Sequence, residues 1–167
     1  ALRDAEQEWK PYALDVLAGV LDGNASARLN QRLVREQQLL SVVGAGYDSV
    51  GRGPALFLLS ATPSEGKTVE DAEAALRQEI QLVAEDGIND EELRRVKAQV
   101  MAAEVYKLDS VFYQAMKIGQ MEGVGLGHQA LELMLEKIKQ VTAEQVQQVA
   151  KEFFKEDQLT VAVLDPQ

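Results

Sequence analysis

The sequence predicts an α+β fold, a small, mostly antiparallel sheet covered by several helices, on three observations. Apolar residues recur at three- and four-residue spacing in about six or seven stretches. Only three short runs turn β-branched and aliphatic, and the two kinds of segment neither alternate as strand-helix-strand units nor repeat at a fixed period. A chain of 167 residues with 46% hydrophobic content suits one core, so residues 1–167 are read as a single domain and expected to be a fragment of a longer polypeptide.

The first helix is carried by Tyr12, Val16 and Val20 with Leu14, Leu17 and Leu21, and should stop at Asp22-Gly23. A second, from Ser26 to Gln38, sets Leu29 and Leu33 against Arg28, Arg32 and Arg35. The period then changes, and Ser41–Val50 and Ala55–Thr62, parted by the breakers Gly51-Arg52-Gly53-Pro54, read as an antiparallel hairpin. Thr68 with Asp71 opens a helix through Ala72, Leu76, Ile80 and Val83 that ends near Asp86-Gly87. Asn89 with Glu92 opens the next, through Leu93, Val96, Val100 and Ala103, and a further face runs through Val111, Ala115, Ile118 and Met121. After Gly123-Val124-Gly125, two shorter helices follow, the last opened by Thr142 and Gln145, and Leu159–Leu164 reads as a final strand stopping at Asp165-Pro166. Three strands leave two bare edges, so a strand upstream of Ala1, or one from another chain, is expected to complete the sheet, and the isolated domain could form a homodimer through such an edge.

A formal charge of −10, from 27 acidic and 17 basic side chains, repels phosphate backbones and anionic lipid, so neither nucleic acid nor membrane is expected as a partner. No apolar run is long enough to span a bilayer, and Ala1–Glu6 lacks the apolar stretch of a signal peptide. Localisation stays open, periplasmic or cytoplasmic in a bacterium. With no cysteine there are no disulfides, thiol nucleophiles or thiolate metal sites.

Hydrolytic zinc needs two or three ligands brought together and an open position for water. The one histidine, His128, has no acidic residue at helical ligand spacing, and neither HxxEH nor HExxH occurs. The serine elbow G-x-S-x-G is missing, and Asn24-Ala25-Ser26 is read as a turn. The glycine clusters fail the dinucleotide and phosphate-loop patterns and are read as turns or strand kinks. Acid pairs such as Glu91-Glu92 fall at helix N-termini, where carboxylates complement the dipole. The row Arg28, Arg32, Arg35 is the one concentrated cationic feature, read first as a surface ladder paired with Glu36 or other acids, and second as a grip on a carboxylate of a peptide or partner domain.

At Ala13-Leu14-Asp15-Val16-Leu17, Leu21-Asp22-Gly23, Ser26-Ala27-Arg28-Leu29 and Leu33-Val34-Arg35-Glu36 the chain resembles the C-terminal, metal-free peptidase domains of the pitrilysin/insulinase-type zinc peptidases, a family that includes the mitochondrial processing peptidase subunits. Ile88–Leu93, Val141–Val146 and Val161–Pro166 follow in the family's order and extend the resemblance over nearly the whole chain. The resemblance implies a clamshell of two related halves around an unfolded peptide, with zinc and the general base in the N-terminal half or a partner subunit and no cofactor in this chain. Alone, this chain is expected to cleave nothing. Many members lend an Arg and a Tyr, seven residues apart, to the substrate or transition state; here Val34 and Ser41 stand at those positions. Arg35 is one position along the helix, and Tyr47 is expected by strand alternation to share the face of Ser41. Candidate substrate- or partner-facing residues are therefore Arg28, Arg32, Arg35, Ser41 and Tyr47, with no catalytic or metal-ligating residue expected. Two other readings stand beside this one: a structural member of the same family without peptidase activity, and an unrelated protein-binding domain.

Overall fold

The computed structural model describes residues 8–50, 53–107, 109–127 and 129–164. Helix α1, Lys10–Asp22, takes Pro11 in its first turn, where a missing N–H costs nothing, and ends as the Gly23 amide donates to the Gly19 carbonyl at 2.8 Å. Ala13, Val16, Leu17 and Leu21 are fully buried on several sides of it, so this helix is the centre of the core. It packs on strand β1, Leu40–Tyr47, and on helices α3, Asp90–Lys107, α5, Ala130–Gln140, and α6, Ala143–Phe153.

The segment expected as a helix from Ser26 to Gln38 is helical from Arg28, and over Asn30–Glu36 it widens into a π-helix with i→i−5 bonding. The Gln37 amide reaches back to the Arg32 carbonyl at 2.9 Å, and Gln38 turns left-handed with φ 49° before the chain enters β1.

Strand β1 pairs antiparallel with β2, Phe57–Pro63, in the register Val43 with Ala61, Ala45 with Leu59 and Tyr47 with Phe57. Those six side chains pack on the core, which the ring of Phe154 closes by meeting Phe57 edge-on at 4.9 Å. The opposite face carries Val42, Gly44 and Gly46 against Thr62, Ser60 and Leu58, and is open to solvent at Val42 and Leu58, each 62% exposed.

Helix α2, Val69–Asp86, begins with the Thr68–Asp71 capping box and stops at Gly87, whose φ of 74° suits a residue without Cβ. The Asn89 side chain accepts from the Glu92 amide at 2.8 Å where α3 begins, and Thr142 with Gln145 forms a second full capping box before α6. Helix α4, Val111–Gly123, is separated from α3 and capped by Ser110.

One element departs from expectation. Leu159–Leu164 joins no ladder, and the sheet has two strands among the described residues. The alternation of Leu159, Val161 and Val163 has the strand period, but a strand exists only with a neighbour to bond, and these three side chains stay 46%, 49% and 58% exposed. The terminator Asp165-Pro166, the breakers Gly51-Arg52 and the stretch Ala1–Glu6 lie outside the described residues.

Candidate functional site

The arginine row does not form a surface ladder. Arg28 lays its guanidinium along the Glu92 carboxylate, Nε to Oε1 at 2.8 Å and Nη2 to Oε2 at 2.7 Å, and also donates to the Gly87 carbonyl at 3.2 Å. With the two side chains only 14% and 10% exposed, this bidentate pair is a clamp between the start of the wide helix and the α2–α3 junction. Hydrogen bonding to Glu92 holds the Arg28 pKa above its ordinary value in spite of burial. Arg32 donates to Glu79 of α2 at 2.9 Å, and Glu36 accepts from Gln31 rather than from the row. Two of the three arginines are thus committed to the fold, while Arg35 is exposed and has no ion-pair partner among the described residues.

Ser41 and Tyr47 do not share a face. A register irregularity between Leu40 and Val42 makes Ser41 the extra residue of a bulge, so its side chain turns outward, and Oγ donates to the Thr62 carbonyl at 3.2 Å. Tyr47 faces inward, stacked on Phe57 at 6.3 Å between ring centroids. One inserted residue cancels the alternation that would have placed them together. Val34 packs against the core. What remains at the turn between the wide helix and β1 is an exposed cation, Arg35, and an exposed hydroxyl, Ser41.

The other chemical candidates resolve into structure. Ser26 donates its amide to Asn24 Oδ1 at 2.7 Å, a side-chain-closed turn. Asp90 and Glu91 sit exposed in the first turn of α3. His128 lies outside the described residues, and among the described residues no three histidine, aspartate or glutamate side chains converge. The described residues therefore do not fit a zinc centre, whose ligands must come together around one point.

Three features were not foreseen. Glu79 is a carboxylate on the apolar stripe of α2, seven residues after Ala72 and four before Val83, and that placement is the signal that would have marked it as a buried ion-pair partner. Asp22, at the end of α1, accepts from Asn30 Nδ2 at 2.5 Å and from the Ala45 amide at 3.2 Å, joining three elements through one side chain. There is also a surface depression of about 650 Å³ between the start of α1, the loop after β1 and the α4–α5 junction. Its lining comes from four separated segments, so no single stretch of sequence announces it.

Residues 3–100 match the family described as the peptidase M16 inactive domain. The chain belongs to the M16 peptidase family. It is similar to an uncharacterized zinc protease of Streptomyces coelicolor, 32% identical over 90% of this chain and 32% of the relative, and to the uncharacterized zinc protease YmxG of Bacillus subtilis, 24% identical over 93% and 37%. The M16 domain thus spans about a third of the length of these curated relatives. A protease from Helicobacter pylori shares the fold at TM-score 0.83 and 21% identity, covering 95% of this chain and 37% of that one. The inactive peptidase domain of a candidate zinc protease from Bordetella parapertussis superposes at TM-score 0.81 and 19% identity, covering 98% of this chain and 88% of that one.

Proposed function

We propose that this M16 domain is the non-catalytic half of a zinc-dependent endopeptidase, closing around peptides or unfolded polypeptides while an N-terminal half or a partner subunit holds the zinc. The observation that carries this reading is the match to the inactive domain together with relatives described as zinc proteases of about three times its length. The chemistry of the surface agrees with it. The buried acids, Glu79 and Glu92, are paired with Arg32 and Arg28, so they hold helices together. Arg35 and Ser41 are left at one exposed turn, where a cation and a hydroxyl can bind a peptide carboxylate or carbonyl oxygen brought against them by the other half. The alternating, exposed Leu159–Leu164 segment is in turn suited to pairing with a strand from the rest of the parent or from a peptide.

Val34 and Ser41, standing where many relatives carry Arg and Tyr, favour a second reading: a scaffold member with no peptidase activity. One experiment separates the two. Cleavage of an unfolded protein is measured for the full-length parent, for the parent lacking this domain, and for that truncated form with the domain added back. The enclosing-half reading predicts cleavage by the parent, its loss on truncation and partial recovery on addition. Undiminished cleavage by the truncated form overturns that reading, and no cleavage by the parent establishes the scaffold.

A further inference from the structure

The depression at the α4–α5 junction has an apolar floor and an acidic rim. Tyr12, Val50 and Met121 are buried beneath it, Met134 lines it, and Leu126 and Leu133 stand at its mouth 44% and 51% exposed. Methionine and leucine side chains of this kind re-pack around differently shaped guests, which suits a surface that accepts more than one sequence. Its volume of about 650 Å³ lies in the range of sites that bury a small ligand or a few side chains.

Among the described residues, the charged groups lining it are Glu8, Glu132 and Glu136, with no lysine or arginine beside them in the lining. Two of these acids have neighbours, since Lys137 reaches Glu8 at 3.3 Å and Lys139 reaches Glu136 at 2.6 Å from outside the lining. Glu132 has no ion-pair partner among the described residues. Carboxylates beside an apolar surface exert a less screened field than those on open surface.

The depression continues. A second hollow of about 240 Å³ shares Ser49, Val50 and Met134 with the first and leads to Tyr47 at the end of β1, where Asp15 and Asp48 outnumber its one lining cation, Lys117. Through these shared residues the two hollows adjoin and form one track.

We propose that this track is a binding groove for an extended peptide segment in which apolar side chains alternate with lysine or arginine. The proposal rests on the reading that the domain encloses peptides, and adds the chemistry of the segment it holds. The apolar side chains enter over Met121 and Met134, and the cations meet Glu132 and Glu136 at the rim.

The test is fluorescence anisotropy with three labelled ten-residue peptides, one alternating Leu and Lys, one Leu and Glu, and one Ser and Lys. The 167-residue chain should bind the Leu/Lys peptide at least about tenfold more tightly than either control. E132K/E136K, at exposed positions, should weaken that binding about tenfold and favour the Leu/Glu peptide, and L133S should weaken it with no change in charge preference. Charge reversal elsewhere, E65K/E70K, should leave it unchanged. Equal binding of the Leu/Lys and Ser/Lys peptides, or equal loss in E65K/E70K, overturns the proposal, because attraction to the overall charge then explains the result. Binding by the chain that disappears in the full-length parent also overturns it, since the groove is then covered by the rest of the parent. Cleavage of the Leu/Lys and Leu/Glu peptides by the parent at equal rates, with neither bound by the chain, overturns the groove and leaves the enclosing-half reading intact.

Discussion

Arg28 shows how a residue that looks free in sequence is consumed by the fold. Its fork bridges Glu92 and the Gly87 carbonyl, with both charged side chains largely out of water. Removing one member of such a pair strands the other, so Arg28→Ala should lower unfolding free energy by about 3 kcal/mol in urea titration. Arg28→Lys keeps the charge but loses the two-pronged geometry, and should cost about 1–2 kcal/mol. If both substitutions prove neutral, the row faces solvent and not the core. The row itself was legible in sequence, but its acids lie 47 and 64 residues downstream, a distance that helical spacing cannot reach. The expectation that Ser41 and Tyr47 share a face failed for a different reason, since a bulge leaves no composition mark and a single extra residue reverses the face of everything before it. Asp71 gives a pH prediction. The Thr68 amide donates to the Asp71 carboxylate at 3.1 Å, and this bond first, with the Thr68 side chain second, holds the Asp71 carboxyl below the usual aspartate range. Its contribution is therefore present above the ordinary aspartate pKa and is lost as pH falls through the lowered folded value. Thermal melts should show wild type above Asp71→Asn at neutral pH, the gap closing in acid; a gap that stays constant with pH would contradict this role.

The elements that sequence located well are those whose ends are locally signalled. Thr68–Asp71, Asn89–Glu92 and Thr142–Gln145 each begin a helix within a residue or two of the expected start, because a cap is made by neighbours in the chain. The expected last strand does not form for the opposite reason: Leu159–Leu164 has the right alternation, but a partner cannot be read from its own residues. Close packing between helices is likewise invisible until the fold is known. Gly19 of α1 lies so near α3 that a Cβ there would stand 2.7 Å from Val96 Cγ1. Ordinarily Gly→Ala inside a helix stabilises by about 1 kcal/mol. Here Gly19→Ala should instead destabilise by about 1 kcal/mol through overpacking, while in a Val96→Ala background the same change should stabilise. A double-mutant cycle with no coupling between the two positions would place α1 and α3 farther apart than the structure has them.

At the scale of the molecule, the fold commits its buried charges to holding α2, α3 and the wide helix together, and leaves its distinctive chemistry on the surface as a turn bearing Arg35 and Ser41 and an acid-rimmed groove. Its place in the M16 family as an inactive domain accords with that distribution. The family resemblance was legible because short motifs kept their order along the chain. The groove was not, because segments around residues 8–12, 49–50, 121–126 and 129–136 meet only in three dimensions. The central claim is that this domain supplies surface to a peptidase and supplies no metal ligands. Zinc titration followed by calorimetry, with the purified 167-residue chain beside the full-length parent, tests it most directly. The account predicts stoichiometric zinc in the parent and none retained by the chain alone; tight, stoichiometric zinc in the chain, abolished by His128→Ala, would contradict it.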